Sequence, residues 1–434
     1  MIEDLTSAYV VPTAELRSLC EPVGRSFRRS KPLPAKTPYL GQQRAVDAIR
    51  FGIELERPGY NLYVLGPLGS HRHGLVNELV AEHAAQKGPP EDWCYVNNFS
   101  DPERPRVLSF PAGRGKAFRD EMHDLIEDMR VAIPAAFESD DYRNQLRAIE
   151  KETESEVAEQ WQTLESAAAK EGISMLQTPT GYVLAPIRDG KVIGDKEFDE
   201  LPKNERLKIQ KQIKLLSADL QERIESMPRI QKRHREKVKA LDQSVTAHAV
   251  SVLLDELKQK YSELEKVSAY LDEAQQNIID NAQDFQQPAT PTLPFLGRDP
   301  AKLFAQYEVN LLTHNGDGNG APVIYEPNPT YPNIIGRIEH RSEMGALLTD
   351  FRMIRSGALA QANGGYLVLD IYRVLSRPFV WDALKQALLN NCIRIETPGE
   401  SYGFVSTTSL KPEPIPLDVK VILIGERWLY YLLS

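Results

Sequence analysis

The sequence predicts an α/β protein whose parallel sheet is interrupted by a long antiparallel coiled-coil insertion carrying a small β element. Three observations lead there. Helix-like and short apolar β-like segments alternate over residues 40–116 and return after residue 288. Between them, from about Ala117 to Gln287, the chain turns into charged stretches with apolar residues three and four apart. A glycine-containing turn, Gly66 to Gly74, joins one β-run directly to a helix.

The elements follow in order. Residues 22–39, within a lead-in spanning 1–39, are rich in proline and basic side chains, without periodicity, and read as extended. Ala45, Ile49, Gly52 and Ile53 predict a helix over Gln42–Leu55, ended by Arg57-Pro58-Gly59. Asn61–Leu65 is a β-run, Leu75–Gln86 a helix, and Trp93–Asn97 a second β-run assigned to the same parallel sheet. Apolar stripes through Tyr142–Leu164, Ile209–Ile224 and Val238–Leu271 mark the helical insertion. Gly172, Pro202 and Pro228 interrupt them, predicting an arm folded back on itself and broken at each site. Near 173–194, two β-runs are split by Pro179-Thr180-Gly181 and closed by Asp189-Gly190. A polar, proline-rich loop, Gln286–Leu296, then leads to apolar runs at Val323–Tyr325, Tyr366–Leu369 and Val419–Ile424. Neither flank holds a complete sheet, so 40–116 and 288–434 are expected to form one domain around the insertion 117–287.

Composition narrows the partners. In 434 residues, 41% hydrophobic and 26% charged, a net charge of −9 gives no global attraction to nucleic acid or anionic membrane. Cys20, Cys94 and Cys392 lack metal-site or disulfide-framework spacing. The acidic N-terminus is unlike a signal peptide and no run approaches the length of a membrane span, so a cytoplasmic protein without membrane partners is expected.

The chemistry sits at strand ends. A strand, a Gly-x-x-x-x-Gly-Lys-Ser/Thr loop and a helix cradle phosphate through backbone N–H groups, a cation and a Mg²⁺-binding hydroxyl. Here Gly66, Pro67, Leu68, Gly69, Ser70, His71, Arg72 and His73 occupy that pattern. Gly66 and Gly69 are in place, and Arg72 can meet phosphate in a bidentate way. His71 replaces the second signature glycine, where positive φ is wanted, and His73 replaces the hydroxyl. Asp370 closes the run Tyr366–Leu369, where a Mg²⁺-coordinating carboxylate belongs, but Ile371 follows in place of a water-polarising Glu. Glu426 is the first polar residue after the run Val419–Ile424, where a γ-phosphate sensor would stand. ATP and Mg²⁺ are therefore the expected cofactors, with Asp370 the metal ligand and hydrolysis doubtful.

Several segments, in this order, resemble landmarks of bacterial Lon-like ATP-dependent proteases with a helical insertion in their AAA+ module. They include Leu40–Ile49 (LGQQRAVDAI), Arg57–Asn61, Tyr95–Phe99, Gly320–Val323, Gly336–Glu339, Arg355–Leu359, Ala362–Gly365, Phe379–Lys385 and Val419–Ile422. In that family an Arg at the position of Arg72 is familiar, leaving His71 as the sharper departure. The resemblance implies an AAA+ fold, a homo-oligomeric ring, protein substrates and serine-type proteolysis. It also implies a lid and a peptidase domain with a Ser-Lys dyad; neither is found here, so the sequence reads as a truncated or split product with no catalytic peptidase residue. The alternative is an inert oligomeric scaffold whose arm binds protein or DNA.

Other motifs read as structural. Asn315–Gly320 with Glu326 approximates a calcium loop, but Asn315 and Pro322 spoil it, and a polar loop is expected. Arg229, Lys232, Arg233, Arg235, Lys237 and Lys239 form a basic run that suits DNA less well than the solvated side of a helix. His71 and His73 lack a third metal ligand, and Trp161 and Trp381 are expected in the core.

Overall fold

A computed structural model describes residues 42–434 except 58, 68, 179–180, 189–190, 194–197, 199–201, 286–299, 317, 319, 344–345 and 397–409. The lead-in 1–39, Leu68, the turn residues Pro179, Thr180, Asp189 and Gly190, and the loop Gln286–Leu296 thus lie outside the described residues.

Helix α1 (Gln43–Glu54) leads to strand β1 (Leu62–Leu65), the Gly66 turn and helix α2 (Arg72–Ala84). Strands β2 (Asp92–Val96) and β3 (Arg106–Phe110) precede helices α3 (Arg114–Phe137) and α4 (Asp140–Lys170). A small antiparallel sheet, β4 (Ile173–Thr178), β5 (Gly181–Arg188) and β6 (Lys191–Val192), stands before helices α5 (Lys203–Lys260) and α6 (Glu265–Asp280). Then come β7 (Asn310–Thr313), β8 (Val323–Tyr325), β9 (Tyr366–Asp370), helices α7 (Ile371–Leu375) and α8 (Val380–Asn390), β10 (Lys420–Gly425) and helix α9 (Arg427–Leu433).

Strands from both ends of the sequence build one four-stranded parallel sheet in the order β1-β10-β9-β8. One face, with Tyr366, Val368, Ile422 and Ile424, buries Ile49 and Ile53 of α1 and Val76 and Val80 of α2. The other, with Leu367, Leu369 and Val421, packs on Val374 of α7 and Val380 and Leu384 of α8. The central strands β9 and β10 are buried on both faces, which is why they read as apolar runs rather than alternating ones, while the edge strands β1 and β8 are only partly buried.

The run Trp93–Asn97 does not join that sheet, contrary to the expectation. It forms β2, paired antiparallel with β3 and β7 in a separate three-stranded sheet. Alternation explains the placement. Cys94 and Val96 face a core shared with Phe118 of α3, Leu254 of α5 and Tyr270 of α6, while Tyr95 faces the core beneath the parallel sheet. The antiparallel sheet is thus a partition between the helical insertion and the α/β layers.

The arm is antiparallel. Tyr142 donates from its hydroxyl to Asp242 at 2.8 Å, Lys237 pairs with Glu152 at 2.7 Å, and Arg233 with Glu156 at 2.8 Å. Nearer the tip Arg223 donates to the carbonyl of Gln160 at 2.6 Å and Gln212 to Glu171. Gly172 follows the end of α4 and Pro202 caps α5, but Pro228 does not break the arm: α5 runs through it for 58 residues. Pro228 is exposed, so its ring faces water, while Arg223 and the buried Ile230 hold the helix to its partner on either side. Trp161 is half-buried against Tyr182 at 4.6 Å, and Trp381 lies half-buried under Lys385.

Lys420, at the start of β10, reaches across to the end of α1. Its ammonium donates to the carbonyls of Gly52 (2.7 Å) and Ile53 (3.1 Å) in the last turn of the helix, where carbonyls lack helical partners, and to that of Leu55 (2.6 Å) just beyond it. Lys420→Met should therefore cost about 1.5–3 kcal/mol, the range for hydrogen bonds to a charged group, read as a lower urea midpoint. Pro228→Ala restores an N–H inside α5 and should stabilise the chain by about 1–3 kcal/mol, read by thermal melting at the helical circular-dichroism band.

Candidate functional site

In the parallel register Leu65 sits beside Gly425, and Asp370 beside Ile424, so the segments leaving β1, β9 and β10 emerge at one edge of the sheet. That edge gathers residues 66–73, Asp370 and Glu426.

The turn is drawn in on itself. Gly66 N–H donates to Gly425 O at 3.1 Å, and the Ser70 hydroxyl donates to Pro67 O at 2.8 Å. Gly69 (φ 82°) and His71 (φ 51°) both take left-handed backbone, and His71 does so with a side chain, at a cost of about 1–2 kcal/mol. Arg72 is only 8% exposed. Its guanidinium lies under the loop, donating to the carbonyls of Gly66 and, at 3.3 Å, Gly425. The cation that would meet a phosphate is thus bound to the ends of β1 and β10, and an anion at the loop must compete for it.

Asp370 has two tasks. Oδ1 accepts from the backbone N–H of Arg373 at 3.2 Å and so caps α7, while Oδ2 faces His73 Nε2 at 3.9 Å. His73 stands edge-on to Tyr325, ring centroids 5.5 Å apart. Burial holds its imidazole below the ordinary value; Asp370 opposes that shift, and the positive charges of Arg72 and Arg373 add to it. Ile371 is fully buried, so the position after Asp370 supplies packing and no carboxylate.

Glu426 borders the same groove as Gly66 and Pro67, with its side chain held by Trp428. Trp428 Nε1 donates to its carboxylate at 2.6 Å, and Tyr63 donates to its backbone carbonyl at 3.2 Å. A side chain at Gly425 would collide with Ile371 and the Tyr63 hydroxyl, so glycine lets β10 pass between them. Burial raises the Tyr63 hydroxyl, against the pull of Arg72 and with the push of Asp370 and Glu426. Beside it an open groove of about 690 Å³ is lined by Leu65, Gly66, Pro67, Trp428 and Tyr431. Sequence reasoning did not identify Tyr63, Tyr325 or Trp428 as part of this edge. Tyr63 and Tyr325 lie inside apolar runs that read as core, and Trp428 was visible only as part of an apolar ending.

The donor set bears on the expected cofactors. The loop retains the backbone and a cation that a phosphate would use. A divalent cation between loop and β9 would meet the Asp370 carboxylate and the His73 imidazole, a mixed donor set in which only the carboxylate suits Mg²⁺. Among the described residues, no three His, Cys, Asp or Glu side chains cluster to hold a metal ion. Arg233 and Lys237 of the basic run are paired with acidic residues across the arm, and Lys232 with Glu236 along α5. Of the calcium-like loop, Asn315 is tied to Asp92 through its backbone N–H at 2.7 Å, while positions 317 and 319 lie outside the described residues. No helix among the described residues is long and apolar enough to cross a membrane.

Comparison with known proteins agrees with this architecture. Residues 319–434, which hold β8, β9, β10, Asp370 and Glu426, match the family described as "LonB-like, AAA domain". Residues 92–125, which hold β2, β3 and the start of α3, match the "Lon-like LonC helical domain". A "Putative Lon protease homolog" of Escherichia coli (strain K12) is 33% identical over 79 residues, 17% of this chain and 12% of that protein. Fold and matches together define an AAA-type α/β protein with inserted helices. More narrowly, the matched segments are similar to Lon-like proteins, and the chain spans a small part of the curated relative's length.

The depressed imidazole of His73 sets a pH dependence. Below the ordinary value of 6.5 the unfolded chain takes up a proton that folded His73 resists, so stability should fall as pH drops through that value. His73→Gln should make the fall shallower, as measured by urea midpoints across pH 5–8.

Proposed function

We propose that the chain is the AAA+ module of a Lon-like ATP-dependent serine protease, binding nucleotide at residues 66–73 and handling protein substrates for proteolysis. In this reading it acts in the cytoplasm within a homo-oligomeric ring, with the helical arm gating or capturing substrate. The observation that carries it is the convergence of the Gly66 turn, Asp370 and Glu426 at one edge of a parallel sheet, where helix α2 begins. The proposal assigns no peptidase residue to these 434 residues.

The same geometry separates binding from turnover. Arg72 would release the Gly66 and Gly425 carbonyls and swing to the phosphates. His71 and Ser70 would offer backbone N–H groups, Asp370 would lie beside the terminal phosphate, and Glu426 would have to leave Trp428 to reach it. The position after Asp370 offers no carboxylate to polarise water, since it is the buried Ile371. ATP binding with little hydrolysis is the expected behaviour.

A second reading is favoured by the Arg72 contacts themselves: the loop is a structural staple and the chain an inert oligomeric scaffold whose arm holds protein or DNA. Titration with a fluorescent ATP analogue separates the two. On the first reading the analogue binds below millimolar concentration, and Arg72→Ala weakens it by about tenfold or more, the equivalent of one charged hydrogen bond. Absence of binding at millimolar nucleotide leaves the scaffold. Its DNA version would then require a gel shift at low salt, where phosphate contacts are strongest.

A further inference from the structure

The oxygen ligand that Mg²⁺ would demand from the start of α2 is replaced by His73, and this substitution has its own chemistry. His73 Nε2 and Asp370 Oδ2 face each other at 3.9 Å without a hydrogen bond. Two donors each about 2.1 Å from a shared cation stand roughly 3–3.4 Å apart in octahedral cis or tetrahedral geometry, so the two groups meet one ion once the gap closes by about half an ångström or more. The carboxylate is divided accordingly: Oδ1 is held by the Arg373 N–H, and among the described residues no hydrogen bond fixes Oδ2. Both side chains can be reached from solvent, at 38% exposure for His73 and 17% for Asp370. The two neighbouring cations are occupied elsewhere, Arg72 on Gly66 and Gly425, and Arg373 on the carbonyl of Pro327.

We propose that His73 and Asp370 form a two-ligand site for a borderline divalent cation, of the Mn²⁺, Co²⁺ or Zn²⁺ class, in preference to Mg²⁺. Imidazole suits these ions, whereas Mg²⁺ binds hard oxygen donors and sheds water reluctantly. Two protein ligands leave coordination positions open, which waters fill in the free chain. In this respect the inference rests on the proposed nucleotide site: phosphate oxygens lodged in the Gly66 turn would fill the positions that waters otherwise take. His73 Nδ1 is buried and has no hydrogen-bond partner among the described residues. A metal on Nε2 therefore lacks the outer hydrogen bond that usually orients and strengthens a histidine ligand, and affinity without phosphate is modest.

The test uses the whole chain with metal alone and then with ATP. Mn²⁺ binding is followed by electron paramagnetic resonance and Co²⁺ binding by visible absorption, each in competition with Mg²⁺. Nucleotide binding is followed separately by the fluorescent analogue. We expect Mn²⁺ and Co²⁺ to bind on the order of tenfold more tightly than Mg²⁺. His73→Ser should abolish that preference and Asp370→Asn the binding itself. Asparagine keeps the cap on α7, and thermal melting verifies that both variants fold. Equal affinity for Mg²⁺ and Mn²⁺, or a preference that survives His73→Ser, overturns the proposal whatever nucleotide does. His73-dependent Co²⁺ binding with no ATP binding under any metal upholds the metal site and removes the nucleotide reading.

Discussion

Everything at the candidate site depends on one pairing, that of β1 with β10. Leu62–Leu65 lies in register with Ile422–Gly425, partners 360 positions apart in the chain. It is reinforced at its start by Val421 N–H donating to the Asn61 side chain at 2.9 Å and at its end by Gly66 N–H donating to Gly425 O. Closing so long a connection is entropically costly, though the cost grows only slowly with length. Burial of β10 between β1 and β9, with apolar helices on both faces, opposes it. Without this pairing the Gly66 turn and Asp370 would not share an edge.

How legible this was depended on the kind of burial. Val323–Tyr325 and Tyr366–Leu369 are unbroken apolar runs and Val419–Ile424 is interrupted only by Lys420; all three contribute to the parallel sheet, whose two central strands are covered on both faces. Trp93–Asn97 has the same composition, yet Cys94 and Val96 point one way and Tyr95 the other into two different cores. A run filling two cores looks the same in sequence as one filling a sandwich. Pro228 misled for a different reason: the rule that proline ends helices concerns the backbone, while α5 is held by contacts to α4 that one-dimensional spacing does not show.

At the site, residue types were legible and directions were not. The left-handed backbone at His71 and the apolar position after Asp370 follow from the motif alone. The inward turn of Arg72 does not, because it depends on two carbonyls, one of them on a strand 353 positions away. Nor does the approach of His73 to Asp370, which requires β1 and β9 to flank β10. The loop is therefore best understood as a balance between self-contact and ligand contact, with Arg72 the shared element.

The continuity of α5 through Pro228 has a mechanical meaning. A helix of 58 residues is about 87 Å long at 1.5 Å per residue, and its first forty or so residues extend beyond the Tyr142–Asp242 contact. That contact is a fulcrum, and the stretch beyond it a lever of about 60 Å. A rotation of about 5° at the fulcrum carries the tip by about 5 Å, the height of one helical turn. A broken arm would absorb that rotation at the break; an unbroken one delivers it to the small sheet at its end.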